Sequence, residues 1–138
     1  MEELLQLQTF AELCARAGKN EADYAIPENG SNLEKLQACE KRMRLMCKVF
    51  NTGEDIQIIN TKQWKHTPVF DLEIDKDQAG GFGLSFRCSG CGIGDADLGV
   101  RPDMSIVSEE LSDHAGKQFA DEYKNLLYYA QLVASEPI

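Results

Sequence analysis

The sequence predicts an α+β domain, and three observations carry that reading. Apolar residues recur at helical spacing toward both ends of the 138-residue chain. Between them, from about residue 56 to 107, the apolar period changes to two. Capping residues stand in front of each helical stretch. Helices at both ends around a run of strands predict a small three- to four-stranded, mainly antiparallel sheet packed against a long C-terminal helix, with two N-terminal helices. Residues 1–138 read as one α+β domain, long enough to bury a core without metals or disulfides.

The first ten residues are ambiguous between a short strand and the start of a helix. Thr9 and Glu12 then form a capping box for a helix over about 9–17, with Phe10, Leu13, Cys14 and Ala17 on one face and Gly18 as terminator. Residues 19–30 read as a loop holding Pro27 and an Asn29-Gly30 turn signal. Ser31 and Glu34 make a second capping box, opening a helix over about 31–51. Leu33, Leu36, Cys39, Met43, Met46, Cys47 and Phe50 mark its buried face.

The sheet is expected over about 56–107. Ile56–Ile59 suits a short strand, and Val69–Ile74 sets Phe70, Leu72 and Ile74 on one face. Phe82–Phe86 alternates strictly, DKDQAGG suits a hairpin with a wide loop, and Met104–Val107 suits a further strand. The last helix spans about 109–134. Leu111, Ala115, Phe119, Tyr123 and Leu127 recur at four-residue steps, widened by Leu126, Ala130 and Val133. Ser108 is its N-cap, and Glu109 and Glu110 suit the positive end of its dipole. A helix of that length is roughly 39 Å long. It is expected to hide Phe70, Leu72, Phe82, Leu84 and Phe86.

The net charge of −9 argues against a general nucleic-acid binder, because neutralising phosphates needs a basic surface. Acidity serves solubility, or else imitation of a nucleic acid or attraction to a basic partner. No apolar run approaches the ~20 residues of a membrane span, and MEELLQLQTF lacks the pattern of a secretory signal. Five irregularly spaced cysteines fit a reducing cytoplasm better than a disulfide framework.

Cys88-Ser-Gly-Cys91 has the spacing of a zinc or redox pair, but a structural zinc site needs four ligands. A redox pair opens a helix, whereas GIGDADLGV reads as loop. Two thiols in a loop, with Cys88 and Cys91 only as weak metal candidates, is the expectation, and no cofactor is assigned. The loop from Cys88 to Gly99 carries Asp95 and Asp97 but lacks phosphate-loop spacing and an EF-hand glutamate. A long loop between sheet elements is a common contact site, so Asp95 and Asp97 count as binding candidates.

Lys35, Lys41, Arg42, Arg44 and Lys48 place five of the chain's fourteen basic residues on the second helix. They form either a solvated face or a contact surface for an acidic partner or a phosphate backbone. Trp64, beside Lys62, Lys65 and His66, would either stack a base or anchor a strand in the core. His114 beside Asp113 reads as a surface pair. No serine elbow, HExxH or paired nucleophile and base is present, so no catalytic residue is assigned.

Taken together, Thr9-Phe10 with Cys14, then Trp64, Pro68 and Phe70, Gly81-Phe82-Gly83 with Ser85-Phe86, and Ser108-Glu109-Glu110-Leu111 form a pattern. It ends on Ala115-Gly116-Lys117-Gln118-Phe119 with Asp121 and Tyr123, its most specific part. This pattern resembles a group of small uncharacterised proteins of Bacteroides-type gut bacteria and of their phages and prophages. The chain departs from that group between Arg87 and Asp103, where the group is rich in aromatic residues and has no cysteine pair. The resemblance implies a phage or mobile-element setting in a bacterial host cell, with a virion location also open, and carries no mechanism. Lys117 and Gln118, on the outer side between Ala115 and Phe119, are binding candidates within the motif. The leading functional expectation is a non-enzymatic accessory protein that binds a protein partner. The alternatives are a nucleic-acid-associated factor using the basic helix face, or a metal protein using Cys88 and Cys91.

Overall fold

A computed structural model of the chain describes residues 1–52, 62–92 and 102–138. Helix α1 (Phe10–Ala17) is capped by Thr9, whose hydroxyl accepts from the Glu12 amide at 3.2 Å. It ends at Gly18, whose φ of 68° is the left-handed conformation that glycine adopts without strain. Helix α2 (Asn32–Phe50) starts on a formed capping box between Ser31 and Glu34. It buries Cys39, Met43, Leu45, Met46, Cys47, Val49 and Phe50. The N-terminal part is not two helices alone, since 3-10 turns at Leu4–Gln6 and Glu21–Tyr24 flank α1.

Strands β1 (Lys65–Ile74) and β2 (Phe82–Gly92) form an antiparallel hairpin, and together they are the whole sheet among the described residues. Phe70 pairs with Phe86, Leu72 with Leu84 and Ile74 with Phe82. The register shifts between Val69 and Phe70, because Val69 pairs with Cys88 and Arg87 is one residue extra in β2. The hairpin closes through Asp75 N–H to Gly81 C=O at 2.9 Å, with φ near 80° at Gly80 and Gly81.

Among the described residues the expected three or four strands thus become two. Met104–Val107 contributes a single bridge, in which His66 and Ile106 exchange both backbone hydrogen bonds at 2.8 Å. The ladder cannot continue past it, because the next residue of β1 facing that side is Pro68, which has no N–H. Instead Asn51, just past α2, holds the segment. Its side-chain amide donates to Ser105 C=O at 2.9 Å and accepts from Val107 N–H at 2.8 Å. The strand expected at Ile56–Ile59 lies outside the described residues.

The expected C-terminal rod is two helices, α3 (Glu109–Gln118) and α4 (Ala120–Ala134), divided at Phe119. Residues four apart drift about 40° around a helix of 3.6 residues per turn, so a stripe from Leu111 to Leu127 turns through about 160°. One straight helix could not keep that stripe on one core. With the break, Leu111, Ala115, Phe119 and Tyr123 are all buried, while Leu127 at the end of the drift is 49% exposed.

The core lies where α1, α2 and the 104–106 segment meet α3 and the start of α4, around Leu13, Met43, Met46, Phe50, Ile106, Ala115 and Phe119. The hairpin lies mainly on α3. Pro68 and Phe86 sit over Gly116, where a Cβ would come within 2.9 Å of the Pro68 Cβ. Ser89 fastens the same end, its hydroxyl 2.6 Å from the Asp113 carboxylate and 2.8 Å from the Ser112 hydroxyl. None of the described helices is long and apolar enough to cross a membrane.

Candidate functional site

Cys88 and Cys91 stand inside β2 rather than in a loop. Successive side chains of a strand alternate faces, so residues three apart point to opposite sides. The register agrees: Cys88 pairs with Val69 and Cys91 with His66. Two thiols on opposite faces of one strand cannot grip one ion, and no group of three or more metal-ligating side chains gathers among the described residues. Cys88 and Cys91 are exposed, while Cys14, Cys39 and Cys47 are buried. Burial pushes Cys39 up to about 11 and Cys47 up to about 12, so both stay protonated and unreactive at neutral pH. Titration of the native protein with a thiol reagent is therefore expected to modify two cysteines quickly and the other three only on unfolding. A third fast thiol would contradict the packing of α1 and α2.

The five basic residues of α2 do not form one open face. Arg42 is drawn inward, making two hydrogen bonds to Glu122 on α4 at 2.6 and 2.9 Å and one to Tyr24 C=O at 3.0 Å. Its guanidinium also lies 3.7 Å from the Phe10 ring centroid. Lys41 donates to Asp23 C=O at 2.9 Å and lies over the Tyr24 ring, which fixes the 3-10 turn onto α2. Arg44 bridges Glu40 and Asp103 at 3.2 Å each. Lys35 stands over Tyr129 of α4, on the same side of α2 as Arg42, and Lys48 is exposed.

Trp64 does not anchor the strand in the core; it is 50% exposed just before β1. His114 is no surface pair either. Its Nε2 lies 2.7 Å from Leu7 C=O and its ring meets Phe50 and Phe119 edge-on. Lys117 and Gln118 are exposed at the end of α3, with the lysine ammonium 5.5 Å from the Phe86 ring centroid. Asp95 and Asp97 lie outside the described residues.

The surface feature that the sequence pattern does not announce is the far end of the hairpin. Leu72 is 63% exposed and Ile74 80%, although both share the face of β1 that buries His66 and Pro68. The expectation that the C-terminal helix hides Leu72 therefore fails, because beyond Tyr123, whose ring meets Phe70 at 5.1 Å, α4 follows β2 and the turn rather than the end of β1. Leu84 and Phe70 still pack against the core, and Lys124 of α4 lies 5.2 Å from the Phe82 ring centroid. At this end of the hairpin, Ala79 and Gly80 of the turn and Asp121, Lys124, Asn125, Tyr128 and Tyr129 of α4 line an open cleft of about 460 Å³. No local signal in the sequence marks it, because which strand of the hairpin α4 follows is set by tertiary packing.

Compared with protein-family models, with curated proteins and with solved structures, the chain matches none.

Proposed function

We propose that the protein acts by binding another protein, through the exposed end of β1 and the cleft between the hairpin turn and α4. The observation that carries this reading is the exposure of Leu72 and Ile74 on the face of β1 that buries His66 and Pro68. Exposed apolar side chains rimmed by polar groups mark interaction surfaces. The cleft adds the polar groups of Asp121, Lys124 and Asn125, with Tyr128 and Tyr129 supplying aromatic area of the kind enriched at interfaces. The resemblance to proteins of Bacteroides-type bacteria and their phages supports an accessory role in a phage- or prophage-bearing host cell. A nucleic-acid role would need the basic face of α2, where Lys41, Arg42 and Arg44 already have partners within the protein.

The test is affinity capture from such a host, with and without nuclease, comparing wild type with Leu72→Asp/Ile74→Asp. Both positions are exposed, so the double variant is expected to fold with unchanged circular dichroism. A stoichiometric, nuclease-resistant partner that the double variant loses is the expected result. Recovery that vanishes with nuclease would transfer the function to nucleic acid, and equal capture by both proteins would place the contact elsewhere.

A further inference from the structure

Resting on that protein-binding reading, we propose how the partner is held: the free edge of β1 from Phe70 to Ile74 accepts an extended segment in which apolar residues alternate with lysine or arginine. Three observations meet at this edge. His66 directs both its N–H and its C=O to Ile106, away from β2. Backbone groups alternate sides along a strand, so the even-numbered residues Phe70, Leu72 and Ile74 direct theirs to the same open side. Beyond Ile106, no backbone partner stands on that side among the described residues. Such a row of donors and acceptors is a template for strand addition.

The side chains specify what can be added. On one face stand Leu72 and Ile74, on the other Asp71 and Glu73, all exposed. Asp71 has one weak neutralising contact, Arg87 at 3.3 Å with both side chains more than half exposed. Glu73 pairs with Gly83, which offers it no side chain. A second copy of the chain fits poorly. In any two-fold antiparallel pairing centred within residues 71–73, carboxylates would face carboxylates, and like charges directly opposite are destabilising. A basic residue opposite Asp71 or Glu73 reverses that sign, and an apolar residue at the alternate positions covers Leu72 and Ile74.

The probe is a capped hexapeptide of alternating lysine and valine, added to the full chain and read by amide hydrogen exchange. Its controls are a peptide of three lysines followed by three valines and an alternating glutamate–valine peptide. The alternating basic peptide is expected to slow exchange at the Leu72 and Ile74 amides roughly tenfold or more, and neither control should do so. Leu72→Pro removes an edge N–H that the hairpin ladder does not use, so it should keep the ladder amides protected while abolishing the effect. Glu73→Lys should weaken the response to the basic peptide and favour the acidic one. No slowing at saturating peptide, or equal slowing by the block peptide, overturns strand addition. The two readings separate in the capture experiment: a nuclease-resistant partner held equally by wild type and Leu72→Pro keeps protein binding and rejects the edge. Edge protection by the peptide, with no protein captured from the host, keeps the edge chemistry and rejects the broader reading.

Discussion

Replacing Glu122 by alanine is expected to lower the unfolding free energy by about 2–3 kcal/mol, between the ceiling for an exposed ion pair and the loss on breaking a fully buried one. Arg42 and Glu122 side chains are 14% and 13% exposed, and the contact is bidentate at 2.6 and 2.9 Å. Burial alone would pull the arginine pKa down. The hydrogen bonds and charge of Glu122 outweigh it, and the net shift is upward. Without the carboxylate a cation is left between α2 and α4, against the Phe10 ring and with one remaining bond to Tyr24 C=O. Urea denaturation at neutral pH measures the loss. The double variant Arg42→Met/Glu122→Leu should recover most of it, because the charge and its desolvation leave together. A loss under about 1 kcal/mol, the ceiling for an exposed pair, would show that water reaches the pair and that α2 and α4 are held by apolar contact alone.

That pair also shows what the sequence does and does not make legible. The caps at Thr9–Glu12 and Ser31–Glu34 are local chemistry within four residues; the second forms the full capping box, while at the first the Thr9 hydroxyl caps the Glu12 N–H and donates to the Glu12 carboxylate. The buried cysteines of α1 and α2 follow from helical period in the same way. Arg42 belongs to a run of basic residues that looks like a solvated face, and only its partner, 80 residues away, turns it inward. Lys41 is similar, since its acceptor is a backbone carbonyl, which no charge pattern can reveal. Cys88 and Cys91 look like a motif only while they are placed in a loop; once β2 runs through them, their faces diverge. The break at Phe119 is partly readable, because a four-residue stripe cannot stay on one side of a straight helix for sixteen residues. What no local pattern contains is which strand of the hairpin α4 follows, and because it follows β2, Leu72 and Ile74 on β1 stay exposed.

Gly116→Val is expected to destabilise the protein by about 3 kcal/mol and to act first on the hairpin. Glycine inside a helix gives up about 1 kcal/mol relative to alanine, so its presence in α3 needs a steric reason. A Cβ at this position would stand 2.6 Å from Phe86 Cε2 and 2.9 Å from Pro68 Cβ. Pro68 is buried and fixed at the start of β1, and Phe86 is held by its ring contact with Phe70 at 6.2 Å between centroids. Neither can yield without moving its strand. For Gly116→Ala, the helix gain of about 1 kcal/mol offsets part of an overpacking loss of about 1–3 kcal/mol. Valine adds two further methyl groups with little helix gain, so the loss grows. A two-stranded hairpin is marginal by itself, so lifting it from α3 should release it before the helices unfold. Amide exchange across β1 and β2 should therefore quicken while the core of α2 keeps its protection. Phe86→Leu placed on Gly116→Ala should restore part of the stability by opening the occupied space. A Gly116→Ala protein more stable than wild type would mean that the helix term governs, and that the hairpin does not rest on this residue. Because the same docking holds β1 so that its free edge projects beyond α3, Gly116→Val should also weaken the alternating peptide's effect at Leu72 and Ile74, with every contacting side chain intact.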